Sequence, residues 1–161
     1  MGVLAARIDN RLLHGIVASR WVPEYQPQRL MVISDDYAGD PNKKAAMRMA
    51  KPSGVALSII SRETAYENFK AGKYDGHSVF VVVDDPQIIR DLQRIGQSIP
   101  VLVIGGTSTP DEAHGSIQVS RRAYVLEEQV DTYKEIMREG THVIAQYIPT
   151  DKAVEVERLL P

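Results

Sequence analysis

Apolar runs of strand length recur along the chain, separated by stretches in which apolar residues fall three or four apart. The runs are 3–8 (VLAARI), 29–34 (RLMVIS), 55–60 (VALSII), 78–83 (SVFVVV) and 99–104 (IPVLVI). Each is nearly continuous in apolar residues rather than alternating, as expected of strands covered on both faces and therefore of a parallel sheet.

The intervening segments carry helix signals. Asp40-Pro41 reads as an N-cap followed by proline at the first helical position, and Lys51-Pro52 stops that helix. Ser61 caps a second, with Ala65 and Phe69 on one face and Gly72 at its end. Asp85-Pro86 opens a third, in which Ile88, Leu92 and Ile95 share a face and Gly96 closes it. A first helix is expected from about His14-Gly15 to Pro23, with Val17 and Trp21 towards the sheet. Strand and helix alternate as in an open, doubly wound α/β fold with helices on both faces.

The C-terminal part reads differently. Residues 117–119 and 123–125 suggest one or two short strands. Residues 127–139 predict a helix with Val130, Tyr133 and Met137 inward, ended by Gly140. Residues 142–148 (HVIAQYI) alternate like an edge strand, and Thr150 would cap a last helix carrying Ala153, Val156 and Leu160. No repeat, low-complexity stretch or linker divides the 161 residues, which suit a single domain, 1–161.

Composition narrows the chemistry. The formal net charge is −2, whereas general nucleic-acid or anionic-membrane binders are usually basic. The chain has no cysteine, which removes disulfides, thiolate metal sites and thiol nucleophiles. The N-terminal residues lack the cationic and apolar regions of a signal peptide, and no apolar run reaches the ~18 residues of a membrane span. A cytoplasmic protein is expected.

In parallel α/β sheets, ligands collect beyond the carboxyl ends of the strands. That edge should hold Asp9 to Gly15, Asp35 to Asp40, Asp84 to Pro86 and Gly105 to Pro110. None of these matches a phosphate-binding loop or dinucleotide fingerprint, so no nucleotide cofactor is expected. Residues 7–17 (RIDNRLLHGIV) place a carboxylate (Asp9), a guanidinium (Arg11) and an imidazole (His14) within six positions. His14 would lie at a helix N-terminus, where unpaired N–H groups and the helix dipole favour an anion. Arg11 could hold phosphoryl oxygens through paired N–H bonds, and Asp9 could orient Arg11 or the imidazole. The plainer reading makes His14 a cap and Asp9 a partner of Arg11. Gly105-Gly106 before Thr107 could admit a ligand to the backbone or simply turn the chain, and Asp35-Asp36 reads first as turn chemistry. His77, His114 and His142 are dispersed and make no metal site.

The segment RIDNRLLHG at 7–15 resembles the phosphorylation-site motif of the IIB components of the bacterial phosphotransferase system, in the mannose/fructose/sorbose branch, whose pattern reads roughly R-I-D-x-R-L-[IL]-H-G-Q-V. VISDD after the second strand, VIGG at 103–106 and HVIAQYIPTDKAVEVERLL at 142–160 are similar to further segments of that family. The resemblance implies a mostly parallel sheet of about seven strands with antiparallel strands at the C-terminal end. It implies that His14 takes a phosphoryl group on Nδ1 from a phosphohistidine of a IIA protein or domain. His14 would then pass the group to a sugar imported through the membrane components IIC and IID, the protein lying peripheral to that permease. Arg11 would help bind the phosphoryl group and Asp9 would be the neighbouring acid. Asn10, Gly15, Asp35, Gly105, Gly106 and Thr107 become candidates for the phosphoryl or partner surface. No metal or other cofactor is implied, since the group arrives already activated on nitrogen; a homo-oligomer is compatible with the family. Two positions depart from the pattern: Ile16 replaces the usual Gln, and Thr107 the Met that often follows Gly-Gly. Two other readings use the same sheet edge. A receiver-like signalling domain would be phosphorylated on aspartate, but no lysine occurs between Lys73 and Lys134 to serve it. A non-catalytic anion-binding protein would need only the helix N-terminus.

Overall fold

The computed structural model describes residues 2–161. Five of the apolar runs form the parallel strands β1 (Gly2–Asp9), β2 (Arg29–Ile33), β3 (Ala56–Ile60), β4 (Ser78–Val83) and β5 (Val101–Gly106). With β8 (His142–Ala145) and β9 (Val154–Glu155) they make a seven-stranded sheet in the order β3-β2-β4-β1-β5-β8-β9. Only the β8–β9 pairing is antiparallel. A separate antiparallel hairpin joins β6 (Ser116–Ser120) to β7 (Ala123–Leu126).

Every strand side chain that points one way meets one layer, and every other one meets the second. Val79, Val81 and Val83 pack with Ala65, Phe69, Ile88, Leu92 and Tyr133, which come from α4 (Arg62–Lys70), α5 (Pro86–Arg94) and α6 (Val130–Arg138). Phe80 and Val82 pack on the opposite face with Val17, Trp21, Val22 and Met47. These belong to the first helical segment and to α3 (Pro41–Arg48). The two-sided burial explains why β4 is apolar at every position. The expected caps are present: Asp40 accepts from the Asn42 and Lys43 amides, Ser61 from Thr64 and Asp85 from Gln87.

Several boundaries differ from expectation. The fifth strand starts two residues late and includes Gly105-Gly106. The first helix passes through Pro23 to Tyr25 instead of ending there. A wide π-type turn over Val17–Trp21, closed by the Val22 amide on the Val17 carbonyl, precedes α1 (Val22–Tyr25) and leaves Pro23 in its first turn, where no intrahelical N–H is needed. The helix expected over 127–139 starts as a 3-10 turn at Glu127–Gln129, and Ile136 rather than Met137 completes its buried face. Residues 142–148 are not the edge: His142–Ala145 runs parallel to β5 inside the sheet. The helix expected after Thr150 is absent. Val154 and Glu155 pair with Ala145 and Ile144 instead, and a 3-10 turn at Val156–Leu159 drops Val156 into the core.

The crossover leaving β1 runs on the α1 face, and the one reaching β5 runs on the α5 face. The two diverge at the carboxyl end of β1, the position at which open α/β sheets bind ligands.

Candidate functional site

Asp9 ends β1, and the chain then turns sharply. The Leu12 amide bonds back to the Asp9 carbonyl at 3.1 Å, and Leu12 takes a left-handed φ of 57°. That conformation costs a branched residue roughly 1–2 kcal/mol. Leu12 and Leu13 are both buried in the layer around Trp21, and this burial holds the strained loop. The helical segment starts immediately after His14, whose carbonyl accepts from the Ala18 amide. The Asn10 amide is tied to the Gly106 carbonyl at 3.0 Å, which fixes the loop against β5.

Asp9 is the hub. It is 1% exposed, and its Oδ2 accepts from His14 Nε2 at 2.8 Å and from Arg7 Nε at 3.1 Å. Its Oδ1 accepts from the Arg11 amide at 2.9 Å. Burial pushes the Asp9 pKa up, but the bonds from His14 and the Arg11 amide and the Arg7 charge outweigh it and hold the carboxyl below its ordinary value. An ionised carboxylate only accepts, so His14 Nε2 carries the ring proton in this contact. In the neutral imidazole Nδ1 then keeps its lone pair. His14 is 8% exposed and borders a recess of about 250 Å³.

Three arginines also line that recess: Arg11, Arg121 and Arg122. Arg11 enters the hydrogen-bond network through its backbone; its guanidinium makes no ion pair among the described residues. Arg121 and Arg122 form the tip of the β6–β7 hairpin, with Arg122 over the Tyr147 ring at 4.2 Å. Asn10, Gly106 and Thr107 line the same recess, Thr107 accepting from the Tyr124 amide at 2.9 Å. Among the described residues Asp9 is the only carboxylate lining the recess, and it is engaged by Arg7 and His14.

Beneath the site lies Arg7, the first residue of the motif, to which the motif alone gives no role. Arg7 is fully buried, and its Nη1 donates to the Gln146 carbonyl at 3.2 Å. Its guanidinium stacks 5.0 Å from the centre of the Trp21 ring and 5.7 Å from that of Tyr147. Burial lowers the Arg7 pKa, and Asp9 partly restores it. Gly105 is required here: a methyl at that position would land on the Arg7 guanidinium. Gly105 therefore supports the site from behind, while Gly106 lines it. A Cβ on Gly15 would meet nothing, so crowding does not dictate that glycine. Asp35 is not brought to His14. It opens the one-turn helix α2 (Asp35–Ala38) and accepts from the Arg62 amide at 2.9 Å. The sequence assigns no role to Arg7, Arg121, Arg122 or Tyr147, although Arg7 opens the motif and Arg121-Arg122 stand between two short apolar runs.

Residues 3–161 match the family model described as the PTS system sorbose subfamily IIB component. The chain is 25% identical over 160 residues to the PTS system fructose-specific EIIB component of Bacillus subtilis, covering 99% of this chain and 96% of that protein. It is 28% identical over 155 residues to the mannose-specific EIIAB component of Escherichia coli, covering 96% of this chain but 47% of that relative. The crystal structure of the IIBSor domain of the sorbose permease from Klebsiella pneumoniae superposes with a TM-score of 0.86 at 26% identity, covering 97% of this chain and 94% of that one.

Proposed function

Because the chain belongs to the sorbose-subfamily IIB components of the phosphotransferase system, we propose that His14 is its phosphoryl carrier, accepting on Nδ1 and donating to a sugar. The observation that carries this reading is the Asp9–His14 contact. It occupies Nε2 and leaves Nδ1 as the unprotonated nitrogen beside a recess lined by Arg11, Arg121 and Arg122. The bond between phosphorus and the donor histidine nitrogen of phospho-IIA breaks as the Nδ1–P bond forms. In the second transfer the Nδ1–P bond breaks, a sugar oxygen–phosphorus bond forms, and the hydroxyl proton is lost to solvent or a partner base.

Each residue has a distinct part. Asp9 positions the imidazole and balances the cationic ring that develops once Nδ1 is phosphorylated. Arg11, unpaired at the rim, meets phosphoryl oxygens with charge-assisted N–H bonds. Arg7 holds Asp9 from below and acts through it. Catalysis is then positioning and charge stabilisation, with the chemistry stored in the phosphorus–nitrogen bond. The partners we assign are a IIA protein or domain as donor and the membrane components IIC and IID as the route to the sugar. No helix among the described residues is long and apolar enough to cross a membrane. We assign the chain to the permease's cytoplasmic face, where it would meet both IIA and the membrane components. A groove beside the recess, lined by Ile16, Arg20, Arg121, Arg122 and Lys152, offers a donor a basic landing surface. Ile16, which departs from the family pattern, lines this groove, and partner choice would be read there.

The test is phosphorylation from phosphoenolpyruvate through the general phosphotransferase proteins and a matching IIA. The expected product is an acid-labile, base-stable label that is lost in His14→Ala. No label with a competent IIA, or a base-labile acyl phosphate, would overturn the assignment.

A further inference from the structure

A chain of stacked groups leads from the core to the recess, and Tyr147 is its outer ring. The buried Arg7 guanidinium lies 5.0 Å from the centre of the Trp21 ring and 5.7 Å from that of Tyr147. The guanidinium of Arg122, an exposed residue, lies 4.2 Å from the same Tyr147 ring. Both cations are within the ~6 Å at which a ring face attracts a charge. The Arg7 charge is met by Asp9 at 3.1 Å, so it repels Arg122 little.

The backbone beneath Tyr147 is tied to the core. Its carbonyl accepts from the Trp21 indole at 2.8 Å, and the Gln146 carbonyl accepts from Arg7 Nη1 at 3.2 Å. The Gln146 side chain donates to the Pro149 and Asp151 carbonyls, which closes the loop after β8. The ring is thus a firm platform at the recess it lines.

Arg122 is held at its backbone as well. Its amide donates to Ser120 Oγ at 3.2 Å, and its carbonyl accepts from the Thr107 amide at 3.0 Å. Thr107 stitches the hairpin to the end of β5 a second time, its Oγ1 accepting from the Tyr124 amide at 2.9 Å. The Met of the family pattern has no oxygen for that bond. Arg121, its neighbour at the tip, stacks on no ring, and its side chain makes no hydrogen bond among the described residues. Neither arginine has an ion-pair partner among the described residues. The hairpin does not depend on the stack, since the Thr107 bonds and the buried Val119, Ala123 and Val125 already hold it. What the stack fixes is a cation without an anion, at a recess whose carboxylate is engaged by Arg7 and His14. A charge fixed in this way is preorganised for an arriving anion and loses little side-chain freedom on meeting it.

We propose that Arg122 binds oxygens of the phosphoryl group on His14, that Tyr147 is the positioning residue that holds its guanidinium ready, and that Arg121 serves to dock the donor. The inference rests on the reading of His14 as carrier. It divides the recess arginines by task. Arg11 comes from the loop after β1 and Arg122 from the hairpin, so two separate elements grip the group.

The test uses the full chain with ¹⁵N-labelled arginine, before and after phosphorylation from phosphoenolpyruvate through the general phosphotransferase proteins and a matching IIA. Phosphorylation should shift the Arg11 and Arg122 Nε–H resonances and leave that of Arg121 in place. Tyr147→Leu should abolish the Arg122 shift and keep that of Arg11, which also reports an intact site, and Tyr147→Phe should keep both. In transfer kinetics Arg122→Gln should lower kcat about tenfold or more, the worth of a charged hydrogen bond, with KM for phospho-IIA unchanged. Arg121→Gln should raise that KM and spare kcat. Tyr147→Leu should lower kcat about threefold or more, the worth of an exposed cation–ring stack, and Tyr147→Phe should restore it. Labelled protein in which Arg11 shifts and Arg122 does not would defeat the proposal alone. So would an Arg122→Gln effect confined to KM, or a Tyr147→Phe protein as impaired as Tyr147→Leu. Absence of label with a competent IIA would defeat the His14 reading, and this inference with it.

Discussion

Arg7, the Arg11 amide and His14 are joined at Asp9, and removing its charge should expose what the junction is worth. Asp9→Asn leaves the fully buried Arg7 without its counter-charge, and breaking a buried pair typically costs about 3–5 kcal/mol. Urea unfolding at pH 7 should show that loss. The sign of its pH dependence follows from the lowered Asp9 pKa, in which burial is outweighed by His14, the Arg11 amide and Arg7. A carboxylate depressed in the folded state stabilises above its ordinary value of about 4 and loses that contribution as pH falls through its folded value. The gap between wild type and Asp9→Asn should therefore be widest near neutrality and shrink below about pH 4; a gap constant with pH would remove the linkage. Gly105→Ala tests the same support from the other side. Its methyl would collide with Arg7, and overpacking of this kind costs about 1–3 kcal/mol, measurable by the same unfolding experiment. His14, Asp9 and Arg11 were readable because they lie within one short motif. Arg7 opens the same motif, yet its part was not legible, because Gln146, 139 positions away, and Gly105 meet it only in the assembled sheet.

At the scale of elements, the β6–β7 hairpin contributes its turn rather than its strands. Arg121 and Arg122 reach the recess because the hairpin closes with two residues between Ser120 and Ala123. Replacing both by glutamine keeps that turn length and the buried Val119, Ala123 and Val125. The expected cost in stability is at most about 1 kcal/mol, the worth of the exposed stacking of Arg122 on Tyr147. Phosphoryl transfer from IIA should fall about tenfold or more if the arginines meet phosphoryl oxygens, since each such bond is worth roughly 1.5–3 kcal/mol. Unimpaired transfer kinetics would confine the site to Arg11 and His14. The parallel strands and their capped helices were legible because both signals are local: a continuous apolar run, and Ser or Asp before the first turn. The segment from Thr150 to the end was not. Thr150, Ala153 and Val156 have helical spacing, yet Val154 and Glu155 gain a ladder with β8, a partner that only the assembled sheet provides.

At the scale of the molecule, the two apolar layers share their strands. In β4, Val79, Val81 and Val83 face one layer while Phe80 and Val82 face the other; in β5, Leu102 and Ile104 oppose Val103 in the same way. Losing the strands exposes both sets of side chains at once, which couples the two layers. Trp21, the sole tryptophan, lies in the α1 layer and donates from its indole to the Tyr147 carbonyl at 2.8 Å. Tyr133 lies in the opposite layer with α5 and α6. Tryptophan fluorescence thus reports one face, and the far-ultraviolet circular dichroism reports helices on both. The two probes should give one coincident urea transition, as in a two-state domain. An earlier fluorescence midpoint would mean that the α1 layer, which holds the strained Leu12 turn and the floor of the His14 site, opens on its own. The site would then be carried on a separately unfolding unit rather than on the shared sheet.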